Sequence, residues 1–182
     1  MTIKIPKVSV IIAAFNQDKY IGRCLRSLLI QTLPQEDYEI IVVNDGSTDD
    51  TKDILENLTY DNLKIINNQK NLGAGKSLEI GINEFKNSSC NNLIKIDGDG
   101  QFKLSDIKRL ISLSKNDYDF VKCDRFWESG IEGEIPTIRY VGNALASLFI
   151  KISTGNWKIN DPLNGLFLFS KQSLENFSLP KI

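Results

Sequence analysis

Histidine is absent from this 182-residue chain, which excludes a Ser-His-Asp triad, a Cys-His pair and any His-ligated metal. Cysteine is scarce: Cys24, Cys90 and Cys123 are odd in number and far apart, so neither a disulfide framework nor a zinc site is expected. No sign of charge dominates either. The 22 Lys and Arg against 23 Asp and Glu leave a formal net charge of -1, with no basic excess to neutralise phosphates, which argues against a nucleic-acid partner. No apolar run approaches the roughly 18 residues that a membrane-spanning helix needs. Lys4 and Lys7 interrupt the first apolar stretch, so no secretory signal is read there. Metal chemistry, if present, has to rest on carboxylates and other oxygen ligands. What remains is 41% apolar and 25% charged residues, the composition of one soluble, cytosol-facing globular domain.

Short apolar runs alternate with segments of helical period. Val8–Ala14 is β-branched and almost wholly apolar, as a strand covered on both faces should be, and similar runs follow at 40–43, 63–66 and 93–96. Between the first two, Ile21, Leu25, Leu28 and Leu29 recur at helical spacing. Segments 51–58 and 74–85 read as further helices, the first with acids near its start, where the helix dipole favours them. Strand, helix and strand repeating in this way point to right-handed βαβ units and a parallel sheet flanked by helices. In such an open α/β fold, ligands sit beyond the carboxyl ends of the strands. That rule singles out 14–17, 44–48 and 97–101. The second half is less regular: a helix at 105–114, a strand at 120–123, a Gly-, Glu- and Pro-rich loop at 125–137, and a last apolar run at 166–169. Ile138, Val141, Leu145, Leu148, Phe149 and Ile152 share one helical face. Its positive charges, Arg139 and Lys151, leave two readings: core packing, or a membrane-surface helix over 138–152.

The strongest chemical signal is Asp97-Gly98-Asp99-Gly100-Gln101 after the fourth apolar run. Two carboxylates flanking one glycine repel each other unless protons or a cation compensate. Oxygen-only ligation favours Mg2+ or Mn2+, which share their remaining positions with substrate phosphates. A solvated turn is the plainer reading, since Asp-Gly is a common turn dipeptide. Asp45 stands at the tip of the second run, suited to accept bonds from a base N–H or a ribose hydroxyl, while Ser47 or Asp49 would cap the next helix. Gly73-Ala74-Gly75-Lys76-Ser77 ends like a P-loop, but the required first glycine falls at Lys70. It reads as a loop and helix start, with Lys76 facing a phosphate as the weaker option.

Together these residues resemble the family 2 glycosyltransferases of GT-A fold, especially the dolichyl- or polyprenyl-phosphate sugar synthases. The resemblance rests on residues 8–16 (VSVIIAAFN), 39–51 (EIIVVNDGSTDDT), Asn71-Leu72-Gly73 with Gly81, the DxD-type motif at 97–101, and Asp161-Pro162-Leu163-Asn164-Gly165. It covers nearly the whole chain in the right order. The resemblance implies one GT-A domain over 1–182 with a Rossmann-like nucleotide-binding half, truncated before C-terminal membrane segments and placed at the cytoplasmic face of a membrane. It further implies a hexosyltransferase of cell-envelope polysaccharide synthesis. Ala14, Phe15, Asn16 and Asp45 would bind the nucleoside, with Asp97 near the ribose and Lys76 toward the phosphates. Asp99, with Gln101 and Asp97 close by, would hold the Mg2+ or Mn2+ that bridges the diphosphate. Arg125 would face the diphosphate or the acceptor phosphate, and Asp161 would lie near the sugar and acceptor. The implied partners are a nucleotide-diphosphate sugar donor and a lipid-phosphate acceptor. Four positions depart from the pattern: Ala13 replaces the usual Pro, Gln17 the usual Glu, and Asn44 the first of two Asp residues. Phe167 takes the place of an arginine found in many lipid-phosphate enzymes, so another cation has to serve the acceptor. The alternatives are a sugar-hydroxyl acceptor and a nucleotide-sugar-binding module without catalysis.

Overall fold

The structure is a computed structural model that describes residues 7–31, 33–97, 104–114, 116, 118–124, 137–158, 160–162 and 165–175, with the backbone alone at 104 and 137–140. The four β-branched runs form strands β1 (Val8–Ala14), β2 (Tyr38–Asn44), β3 (Leu63–Asn67) and β4 (Asn92–Asp97). The segments of helical period between them form α1 (Ile21–Leu29), α2 (Thr51–Glu56) and α3 (Ala74–Asn87). Then come α4 (Leu104–Leu113), β5 (Phe120–Lys122), α5 (Thr137–Thr154), β6 (Phe167–Ser170) and α6 (Lys171–Glu175). Two short elements fall outside the sequence expectation, a 3-10 turn at Gln35–Asp37 and α6 itself.

The six strands lie in the order β3-β2-β1-β4-β6-β5. Strands β3, β2, β1 and β4 pair in parallel, while β6 runs antiparallel to β4. Because β1, β2 and β3 step to one side, right-handed crossovers put α1 and α2 on one face. The β3-to-β4 crossover steps the other way and puts α3 on the opposite face, where it packs on β1 and β2. The strand order therefore reverses between β1 and β4. Ligands of open α/β sheets sit at such a reversal.

Cover on both faces explains the unbroken apolar runs. On the α3 side Ile11, Ile41, Val43 and Leu93 pack with Ile82, Phe85, Cys90 and Leu174 of α6. The alternating residues Ile12, Ile40, Val42 and Ile94 are fully buried on the other side. Each such side chain contributes roughly 1.5–3 kcal/mol when fully buried. Gly81 lets α3 lie this close: a Cβ there would sit 2.7 Å from Ile11 Cγ2. At the far edge, Phe120 stacks within 4.6 Å of Phe169, and Phe167 meets Phe169 edge-on at 5.3 Å. Phe167 is thus committed to an aromatic cluster.

The chain divides into two compact units, Met1–Val121 with Leu166–Ile182, and Lys122–Gly165. The three cysteines are not disulfide-bonded. Burial, together with the negative charge of Glu39, pushes the Cys90 thiol up to about 11, so it stays protonated and inert at neutral pH.

Candidate functional site

The carboxyl edge of the parallel strands is built by three connected tips. In register, Ala14 of β1 stands beside Asn44 of β2, and Ala13 beside Asp97 of β4. The Asp45 N–H donates to the Ala14 carbonyl at 2.8 Å and extends this edge by one bond. Phe15 leaves β1 with its ring 41% exposed.

Asn16 adopts φ +52°, alone among the described non-glycine residues in taking a positive φ, a conformation that Asn tolerates better than most. Its Oδ1 accepts the Thr48 N–H at 2.9 Å, and its own N–H donates to Ser47 Oγ at 3.0 Å. The Gln17 N–H donates to Thr51 Oγ1 and the Asp18 N–H to Asp49 Oδ2. Asn16 therefore clasps the β1 exit to the β2 exit. Asp49 also accepts the Thr51 N–H at 3.0 Å, but it stands one residue before the N-cap of α2, which is Asp50. Burial favours the neutral form of Asp49, but bonds from Thr51 and the Asp18 N–H outweigh it and hold the carboxyl below its ordinary value.

Asp45 is 3% exposed. Its Oδ1 accepts Asn68 Nδ2 at 2.8 Å and the Leu72 N–H at 2.9 Å, and its Oδ2 accepts the Gly73 N–H at 2.9 Å. Burial on its own would raise this carboxyl, but the bonds from Leu72, Asn68, Ser77 and Gly73 win and set it below its ordinary value. The donors sit at the start of α3, where the helix dipole also favours a negative charge. The expectation for Asp45 was a carboxylate offered to a base or ribose. In the structure it accepts three bonds from the loop at 68–73. Gly46 makes that loop possible: its φ is +68°, and a Cβ would sit 2.3 Å from the Lys70 carbonyl carbon. Asn44, also buried, donates to Asn67 Oδ1 at 2.9 Å and accepts the Ser47 N–H at 3.2 Å.

Asp97 differs. Its side chain is 40% exposed at the end of β4 and pairs with Lys95 on the same strand, itself 13% exposed. Asp99 and Gln101, the other expected metal ligands, and Arg125 lie outside the described residues. Among the described residues no three acidic or cysteine side chains come together as a metal cluster. Asp97 is thus one oxygen donor that fits a hard cation, already balanced by a lysine. Lys76 stands exposed on the first turn of α3 and pairs with Glu79 at 2.8 Å. Asp161, in the second unit, is 2% exposed. Its neighbour Asn160 ties that segment to α5, accepting Ser147 Oγ on its carbonyl at 2.9 Å and Lys151 Nζ on its side chain at 2.8 Å.

Sequence reading missed the anchoring of 68–73 by Asp45. The signal available was that two backbone N–H groups at a helix start need an acceptor.

A reversed-order parallel sheet with polar strand tips is a nucleotide-binding α/β architecture. Comparison narrows the class: the sequence model of glycosyl transferase family 2 matches residues 9–177, and the chain belongs to that family. An uncharacterized glycosyltransferase of Haemophilus influenzae is 41% identical over 116 residues, which are 62% of this chain and 34% of that protein. The UDP-N-acetylglucosamine–dolichyl-phosphate N-acetylglucosaminyltransferase of Methanococcus voltae is 27% identical over 187 residues, covering 94% of this chain and 72% of that one. Among solved structures, glucosyl-3-phosphoglycerate synthase from Mycobacterium tuberculosis, in complex with Mn2+, UDP and glucosyl-3-phosphoglycerate, superposes with a TM-score of 0.63 at 18% identity. It covers 92% of this chain and 57% of that one. That likeness shows the GT-A fold. The chain spans about a third of the length of the first relatives it matches.

Proposed function

We propose that this chain is the donor-binding and transfer domain of an inverting glycosyltransferase that moves a sugar from a nucleotide-diphosphate sugar to a polyprenyl or dolichyl phosphate. The observation that carries the reading is Asp97: a half-exposed carboxylate at the β4 tip, one strand from the exposed Phe15 ring, at the reversal of strand order. Membership of family 2 and the dolichyl-phosphate relative support it. The Mn2+ and UDP held by the mycobacterial neighbour support the choice of donor and ion.

Phe15 would stack on the base. Asn16 and Asp45 would hold the two loops that frame it, and Asp97 would meet the ribose or the ion. Asp99 and Gln101 would supply the further oxygen ligands, a donor set that suits Mg2+ or Mn2+ and not zinc. When bound, such an ion neutralises charge building on the departing diphosphate, an effect worth several kcal/mol. A phosphate acceptor is already anionic and needs no general base, only a cation to steer it, a role given to Arg125 with Lys76 as the second choice. The expected outcome is that Asp99→Asn abolishes turnover while circular dichroism stays native. Metal-dependent turnover retained in that variant refutes the assignment.

Phe167 favours a second reading. Its ring lies in the aromatic cluster where many lipid-phosphate enzymes carry an arginine. A sugar or other hydroxyl acceptor would then need a base, and Asp161 is the candidate. Mass analysis of the product separates the readings, since a lipid-phosphate product is extracted into organic solvent and a glycan product is not.

A further inference from the structure

We propose, on the donor reading above, that Lys95 is a second cation of the donor site and makes occupancy by the divalent ion conditional on the diphosphate. Lys95 and Asp97 stand two residues apart on β4, hence on one face of the sheet, and the ammonium pairs with the carboxylate. Leu93 of that face packs in the core under α3. The neighbouring strands set Ile11 of β1 and Phe167 of β6 directly beside Lys95, and both also pack on that core. The Lys95 side chain is 13% exposed. Its stem lies in an apolar slot, and its charge reaches the strand tip.

A slot lined this way is filled at lower cost by methionine or leucine, because an ammonium taken out of water needs a counter-charge to offset its desolvation. Asp97 supplies that charge in the free protein. Once Asp97 is given to an ion, the ammonium loses its partner and faces a like charge, which disfavours the ion. A diphosphate reverses the sign: its anionic oxygens accept from the ammonium while they complete the ligands of the ion. Lys95 carries its ammonium on a flexible stem, so it passes from Asp97 to the diphosphate by a change of rotamer. Shared ligands already couple ion and diphosphate, and Lys95 enlarges that coupling. A lysine that merely paired with Asp97 would weaken the ion equally with and without nucleotide.

The test is calorimetry on the whole chain with Mn2+ alone, with UDP or GDP alone, and with each nucleotide at saturating Mn2+. Wild type should bind one of the two nucleotides, and should bind Mn2+ more tightly in its presence. Lys95→Met, close to lysine in length, should bind Mn2+ alone more tightly than wild type but the nucleotide with Mn2+ more weakly. The coupling between the two should fall about tenfold. Lys95→Gln, which keeps a polar end without the charge, should repeat both changes, each variant with a native circular dichroism spectrum. The parent nucleoside, which lacks phosphates, should bind all three proteins alike. Unchanged coupling in the Met and Gln variants overturns the proposal and leaves the donor reading standing. A wild type that binds neither nucleotide overturns that reading, and the role of Lys95 with it.

Discussion

Strands β2 and β4 flank β1, and each delivers an aspartate to the carboxyl edge, Asp45 just past β2 and Asp97 as the last residue of β4. Asp45 is buried and accepts Asn68, Leu72 and Gly73 within 2.9 Å. Asp97 is 40% exposed and meets Lys95 on its own strand. Backbone N–H groups are fixed in place, so the charge on Asp45 is bound into the fold. A lysine side chain can swing aside, so the charge on Asp97 can be handed to a ligand. One acid builds the rim, and in the proposed reading the other faces the donor.

Breaking the first half of that comparison should have the largest effect. Asp45→Ala leaves two backbone N–H groups at the start of α3 without their acceptor and should destabilise the fold by about 3 kcal/mol, read from urea midpoints. Gly46→Ala follows, at about 2 kcal/mol, because the residue must keep a positive φ while its methyl meets the Lys70 backbone. The second half is sharpened by Asp97→Asn. Its stability should stay within about 1 kcal/mol of wild type, as for a part-exposed ion pair, while nucleotide binding in the presence of Mn2+ weakens about tenfold.

Acid probes the anchoring of Asp45 directly. The folded-state pKa of Asp45 lies below its unfolded value. Its stabilisation is therefore complete above the ordinary carboxyl range near about 4 and fades as pH falls through the lower folded value. Urea midpoints measured across that window should fall steeply for wild type and less for Asp45→Asn. Lys76→Ala should do least, within about 0.5 kcal/mol, because its pair with Glu79 is exposed.

The strands were legible because burial on both faces demands short, β-branched apolar runs such as 8–14. The helices from 21, 51 and 74 were legible from their period. The antiparallel direction of β6 was not, since an apolar run carries no arrow and the direction is set by the path of the chain. Helix α6 has five residues and one buried side chain, Leu174, too short for a period to register. For α5 the period gave the helix and its apolar face, but not which way that face turns, because exposure is decided by the neighbours. The partners of Asp45 lie 23 to 28 residues along the chain, beyond the reach of any local pattern.

In the proposed reading the edge between β1 and β4 takes a nucleotide diphosphate through an oxygen-ligated ion. A thermal-shift series with UDP- and GDP-sugars, with and without Mn2+, on wild type and Asp97→Asn tests it most directly, since a ligand that binds only the folded state raises the midpoint. One nucleotide class should raise the wild-type midpoint in a Mn2+-dependent way, and Asp97→Asn should lose most of that rise. An equal, metal-independent rise in both proteins, or none in either, contradicts it.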